Sequence, residues 1–517
     1  MHALSGSRPA VYPAGPSGLR FWPRPALCQT CLNVQPKGPA GPTRQSPLPG
    51  SVVVRSLAED DASPVGTAFA SRLGTFLQPY IAQEQVVTRL DLKAQVISSI
   101  YQVSQEEWDA CATGSGELNP FLLWSFLKAL EDSQSAVREQ GWLPQHVLVR
   151  NETTNELLGC CPMFLKLHSY GEYVFDHGWA SAAARMGMPY YPKLQSCVPF
   201  TPVTGQRMMV KAGPHSTAIR KAMAETLIGI ADELQVSGLH VTFNTEEEWA
   251  QAGALGYLQR TGIQYHWENR GYHVFDDFLM ELKQSKRKNI RQERKGVANA
   301  GLRMQRLTGD DLKAKHWDAF FKFYRNTTDR KWGQPYLTRE FFHQLGETMP
   351  DRVMLVVAEE SGGGPLVAGA LNLIGSEALY GRNWGCGHGP TIKHLHFELC
   401  YYQAIEAAIE LGLARVEAGA QGEHKIQRGY LPSLTYSSHY IRNEVLRDAI
   451  DKALRRERMQ IAYTLEALTQ QASPFKDDSL RLMPDHAAGR HPRTRLQRPA
   501  NWTSGPLMRM DSGQGIR

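Results

Sequence analysis

Residues Ala378–Tyr436 read ALYGRNWGCGHGPTIKHLHFELCYYQAIEAAIELGLARVEAGAQGEHKIQRGYLPSLTY, and the fold turns on this stretch. A strand-like run, ALYGRNW, passes into a glycine-rich loop. A long helical pattern, HFELCYYQAIEAAIEL, comes next, followed by a second strand-like run, ARVEAGA, and a polar cluster, QGEHKIQRGY. Leu395, Leu399, Tyr402, Ile405 and Ile409 recur at helical spacing, so one stripe faces a core. Strand, glycine loop, helix, strand and polar cluster is an order in which α/β proteins place ligands at strand ends.

Working outward, RVMLVVAEE and PLVAGALNLIG precede this stretch as two strands separated by SGGG. The N-terminal half repeats the order. HVLVR and ELLGCCPMFLKL read as strands and YGEYVFDHGWA as another. IRKAMAETLIGIADEL reads as a helix and GLHVTFN as the strand after it. Gly159 then stands opposite Gly369, Trp179 opposite Trp384 and Val241 opposite Val416. Five elements in one order predict two tandem α/β units, over 75–270 and 271–445. Between them FDDFLMELKQSKRKNIRQERKGV reads as one helix. Its apolar stripe is Leu279, Leu282, Ile290 and Val297, with Lys286 inside the stripe. That placement predicts an ammonium reaching Glu417 or Glu423 across the groove between the units. A last helix covers 446–470, and the Pro-, Arg- and Gly-rich remainder, 471–517, reads as a disordered basic tail.

The chain has 517 residues, 42% hydrophobic and 21% charged, with a net charge of +6, all ordinary for a soluble globular protein. It has no run of 18 apolar residues, so no membrane span is expected. Residues 1–58 contain no Asp or Glu among scattered arginines. Acid-poor, basic and unpatterned sequence predicts a cleaved transit peptide over about 1–57, with a plastid address favoured over a mitochondrial one. The eight cysteines are spread without zinc spacing and read as reduced thiols, so no metal site is expected. Serine-hydrolase, Walker and zinc-enzyme motifs are absent.

The polar cluster holds the strongest chemical signal. Glu417, Gln421, Glu423, His424, Lys425 and Arg428 fall within twelve residues at a strand end. A Glu or His there could take a proton from an attacking amine, and Lys425 or Arg428 could hold a substrate anion. Arg382, Trp384, Gly385 and Gly387 form an R-x-x-G-x-G string that could cradle a cofactor pyrophosphate. Lys286, Arg287 and Asn289 on the basic helix complete the candidate substrate groups. Glu398, on the apolar stripe of its helix, needs a Tyr or Arg partner. His394 and His396 read as helix-entry residues.

SKRKNIRQER, FYRNTTDRKWGQPYLTREFF, YGRNWG, LHFELCYYQAIE and GAQGEHKIQRGYLP together resemble the FemAB-like group of predicted N-acyltransferases, within the Gcn5-related acetyltransferase (GNAT) superfamily. The resemblance runs from about Leu92 to Ile441. It implies two tandem GNAT-like domains and transfer of an acyl or aminoacyl group to a small-molecule or peptide amine. It implies acyl-CoA as a co-substrate, with no tightly bound cofactor, or an aminoacyl-tRNA as donor, and no DNA partner. Under it Glu423, His424 and Glu417 are the expected catalytic groups. The alternative is a non-catalytic module that recognises a peptide or cell-wall-like ligand.

Overall fold

The computed structural model describes residues 51–54, 91–331, 335–389, 392–419 and 422–476, with the backbone alone at 51–54, 330, 331, 423 and 471. Its strands are β1 (Ser51–Val54), β2 (Leu92–Ile97), β3 (Trp142–Pro144), β4 (His146–Asn151), β5 (Leu157–Cys161) and β6 (Met163–Lys166). They continue as β7 (Lys193–Ser196), β8 (Met209–Val210), β9 (Gly238–Asn244), β10 (Leu258–Glu268) and β11 (Leu302–Leu307). The last are β12 (Val353–Glu360), β13 (Leu366–Ile374), β14 (Ala378–Cys386), β15 (Arg415–Glu417) and β16 (Leu431–Ile441). A five-stranded sheet runs β1-β2-β4-β5-β8, and an eleven-stranded sheet runs β11-β12-β13-β14-β15-β10-β16-β9-β7-β6-β3. β1 falls within 1–57; the rest of that expected leader lies outside the described residues.

Period-two alternation explains how β12 and β13 are buried on both faces. Leu355, Val357, Leu371 and Leu373 pack on one side, against Trp317, Phe320 and Phe342. Met354, Val356, Ala368 and Ala370 pack on the other, with Leu399, Tyr402, Ile405 and Ile409 of the expected helical stripe. The turn between the two strands uses Gly362 and Gly363 at φ 89° and 82°, a region open to glycine.

Each half contains an antiparallel ladder ending in a parallel strand pair. In the second half, β12, β13 and β14 are antiparallel, and β14 runs parallel to β15 through a helical crossover. In the first, β6 and β7 are antiparallel, and β7 runs parallel to β9 with the helix Ser216–Glu233 between them. Both halves thus share a mixed α/β architecture. The final strands are exchanged: β10 follows β9 in sequence yet lies between β15 and β16, and β16 lies between β10 and β9. One continuous sheet results.

Three local expectations are corrected. YGEYVFDHGWA is not a strand: Asp176 precedes the helix His177–Arg185, so the match of Trp179 to Trp384 fails and β7 is the counterpart of β14. The segment before the basic helix is broken at Leu282 and Lys283, which leave helical backbone (ψ 154° and 142°) between the helices Phe275–Glu281 and Gln284–Ala298. There Lys283 N–H donates to Pro474 C=O at 2.8 Å and Leu282 bridges Phe475. The chain is therefore ordered past the expected start of the tail. The final helix runs Glu444–Ala472, and Phe475 is buried under Arg270 at 4.4 Å. Residues 477–517 lie outside the described part. Among the described residues, no helix is long and apolar enough to cross a membrane.

Candidate functional site

β14 and β15 pair over three positions, the last being Tyr380 opposite Glu417. Past that point the two strands part. The continuation of β15 stays with β10, Ala418 N–H donating to Tyr265 C=O and Tyr265 N–H to Gly419 C=O, each at 3.2 Å. β14 continues alone to Cys386 beside β13. It also carries a bulge: Asn372 faces Gly381 and Leu371 faces Asn383, leaving Arg382 as the extra residue. Bulges unpair a backbone unit and bend the strand. The outcome is a fork between the two strands, with irregular backbone on one side.

The helix side of the fork is aromatic. Trp384 meets His396 edge-on at 5.1 Å, and His396 meets Tyr401 at 5.3 Å. The Tyr401 hydroxyl lies 3.0 Å from His424 Nε2. Tyr401 is buried, which raises its hydroxyl pKa, while His424 is exposed to solvent. Tyr401 sits in a π-helical turn, Glu398–Tyr402, that interrupts the helix between Leu395–Phe397 and Gln403–Glu410. Such widened turns displace side chains off the regular helical spacing.

Lys425 is buried, its ammonium donating to Ala418 C=O at 2.5 Å and Gly419 C=O at 3.2 Å at the end of β15. Burial lowers its pKa to about 8. Arg428 lies 3.4 Å over the Phe397 ring, grips Glu293 with two bonds of 2.7 and 3.2 Å, and donates to His424 C=O at 2.8 Å. Glu293 also accepts from the Tyr402 hydroxyl. Its neighbour Arg294 binds Glu398 at 3.0 and 3.1 Å and Glu406 at 2.6 Å. The basic helix thus clamps the π turn from outside, and Glu398 has the Arg partner its burial demands.

Of the expected residues, His424, Lys425 and Trp384 border the fork. Gln421 lies outside the described residues, and so does the side chain of Glu423, which opens the 3₁₀ helix Glu423–Arg428. Glu417 alternates to the opposite face of β15 from Val416. There it meets Arg415 at 3.1 Å and His266 at 3.9 Å, not Lys286. Opposite Arg415 in the ladder, Glu268 has its pKa pushed up to about 7 by burial, with the Glu417 charge raising it further against the lowering pull of Arg415.

The residues of the R-x-x-G-x-G string make contacts within the fold. Gly385 is a strand residue opposite Gly369, and a Cβ there would meet the Phe323 backbone at 2.3 Å, so close helix packing requires this glycine. Gly387 N–H donates to Val367 C=O at 2.8 Å. Arg382 reaches Phe200 C=O of the first half at 2.5 Å. Arg287 bonds Met280 C=O at 3.3 Å, and Asn289 is exposed. Among the described residues, neither these two nor Lys286 bonds an acid of the second half. Lys286, in the first turn of the helix Gln284–Ala298, lies one turn before Ile290 and is half-buried, ahead of the residues that meet the π turn. Ile290, Glu293, Arg294 and Val297 form the true inner face. Glu293 and Arg294 could have been found by counting from Ile290 alone; Tyr401, displaced by the π turn, could not.

The equivalent space in the first half is filled. Past the β7–β9 pair, Arg207, wholly buried, donates to Thr242 C=O (3.0 Å), Gly205 C=O (2.9 Å) and Val203 C=O (2.6 Å). Glu248 accepts the N–H groups of Arg207 and Met208 at 2.9 and 2.7 Å, and Gly205 N–H donates to Phe243 C=O at 3.0 Å.

Among solved structures, similarity extends to FemX, 10% identical with a TM-score of 0.44, covering 68% of this chain and 98% of that one. The structure of L-PGS from Bacillus licheniformis is 9% identical with a TM-score of 0.39, covering 65% and 98%. A tandem GNAT protein from the clavulanic acid biosynthesis pathway is 11% identical with a TM-score of 0.35, covering 68% and 97%. No curated protein matched this chain. A family model does match, over residues 99–477, and by it the chain belongs to the FemAB-like family, described as peptidoglycan biosynthesis/recognition.

Proposed function

We propose that the protein is an N-acyltransferase that passes an acyl or aminoacyl group from a thioester or ester donor to an amine at the fork between β14 and β15. The observation carrying this reading is the pairing of an open strand fork with His424 and Tyr401 at its edge. In the reaction the amine attacks the donor carbonyl, a C–N bond forms, and the C–S or C–O bond breaks. An N–H of the β14 bulge stabilises the oxyanion. His424 takes the proton the amine loses and, through the Tyr401 hydroxyl, returns it to the leaving sulfur or oxygen. Lys425, whose pKa burial lowers to about 8, adds positive potential at the end of β15.

Two donors fit, acyl-CoA and aminoacyl-tRNA. Because Gly385, Gly387 and Arg382 are committed within the fold, a CoA pyrophosphate would rely on the segment between Gly387 and Leu395 instead. The acceptor is a small-molecule or peptide amine, and the acid-free N-terminus supports a plastid address. The test is direct. Acetyl-CoA and a charged tRNA are each offered with an amine mixture, and product formation is followed for the wild type and His424→Ala. Product that requires His424 supports the reading. Binding of a peptide ligand with no turnover from either donor would favour the non-catalytic module.

A further inference from the structure

The loop between β6 and the helix His177–Arg185 is inside out. Its polar side chains Ser169, Glu172 and Asp176 are buried, at 6%, 2% and 2% exposure, while Leu167, Tyr170, Tyr173 and Phe175 stand 47%, 63%, 41% and 62% exposed. Four of the large exposed apolar residues therefore crowd into nine positions, although scattered singles are the norm for a protein surface. A buried ion cage enforces the inversion. The Lys193 ammonium lies 2.6 Å from Glu172, 2.5 Å from Asp176 and 2.9 Å from Ser169 Oγ. The Lys166 ammonium donates to Tyr170 C=O at 3.1 Å, and the Tyr190 hydroxyl bonds Asp176 at 2.7 Å. Burying charge while exposing aromatic rings is unfavourable on both counts, so the aromatic side is held out against the usual partition.

The loop itself adds no exposed charge, and Arg260, which donates to Phe175 C=O at 2.8 Å, is neutralised by Glu457 at 2.9 Å. From Leu167 to Ala184 the sequence contains no Lys or Arg, and its acids are the two buried ones. A polyanion finds no counterpart there. With three aromatic rings and a leucine about half exposed, the patch offers roughly 400 Å², about half of the ~800 Å² per partner in a stable protein interface. A second copy is thus a poor fit. Tyrosine and phenylalanine on a rigid loop do suit the bilayer interface, where the ring enters the acyl boundary and the polar tip stays among headgroups.

We propose that this loop docks the protein on the surface of a zwitterionic lipid bilayer. Docking does not depend on the acyltransferase reading and would bring the first half of the molecule to the membrane.

The test uses the full chain and phosphatidylcholine vesicles in co-sedimentation. The wild type should bind, and binding should persist at about 1 M salt, where the Debye length is ~3 Å. Tyr170→Ser/Phe175→Ser should weaken it roughly tenfold or more, while Tyr463→Ser, at a 60% exposed tyrosine on the final helix, should not. Melting temperatures would confirm that each variant folds. Absence of wild-type binding, equal binding by the double variant, or loss of binding with salt overturns the proposal. So does a wild-type dimer that the double variant converts to monomer, which would make the face a contact between copies.

Discussion

Beyond the β7–β9 pair the first half sends its own chain back into the fork and ties it there with Arg207 and Glu248. Beyond β14–β15 the second half leaves the fork lined with Trp384, His396, Tyr401 and exposed His424. The topology is shared and the contents are not. A buried guanidinium satisfied by four carbonyls, of Val203, Gly205, Gln206 and Thr242, replaces a ligand and makes the first fork structural. In the second, His424 sits where solvent reaches it, with the buried Tyr401 hydroxyl behind it. A duplicated unit can thus keep its strand geometry for stability in one copy and for chemistry in the other.

The comparison breaks most visibly if chemistry does not need the open fork. His424→Ala should lower turnover by about 10²–10⁴-fold, the usual worth of a positioned acid or base. Because His424 is exposed, chemical unfolding should detect a stability change within roughly 0.5 kcal/mol. Arg207→Ala should do the opposite. Removing it leaves buried carbonyls of Val203 and Thr242 unpaired, at a cost of about 3–5 kcal/mol in urea melts.

A smaller effect tests the clamp over the π turn. Glu293→Ala strips Arg428 and Tyr402 of their partner and should cost about 2–3 kcal/mol, whereas Lys286→Ala should stay within roughly 0.5 kcal/mol. Equal effects in a denaturant series would restore the groove role first expected of Lys286.

The smallest effect is a pH dependence. Glu268, with its folded pKa raised from 4.5 to about 7, holds its proton more tightly folded than unfolded. Its contribution is complete below the unfolded pKa and is lost as pH rises through about 7. Glu268→Gln should therefore match the wild type near pH 4 and exceed it near pH 8, by on the order of 1–3 kcal/mol. Melts across that range would show it.

Much of this was legible in the chain. The buried stripe from Leu395 to Ile409, the strands on either side of it and the cluster at His424 and Lys425 follow from period and composition. What the chain hid has physical reasons. The break at Leu282 is held by Lys283 and Phe475 bonding to segments nearly 200 residues apart in sequence, which no local pattern reports. The strand exchange of β10 and β16 leaves each strand's own alternation unchanged, so either partner would satisfy it. Gly385 looks like a phosphate-loop glycine in a string, yet the constraint on it is the Phe323 backbone lying against it.

The central claim is that the donor enters the second fork and not the first. A photoreactive acyl-CoA or aminoacyl-tRNA analogue, crosslinked to the full chain and mapped by peptide mass spectrometry, measures this directly. The account predicts labels within Trp384–Tyr401 and at His424 or Lys425. Labels concentrated on Val198–Arg207 would contradict it.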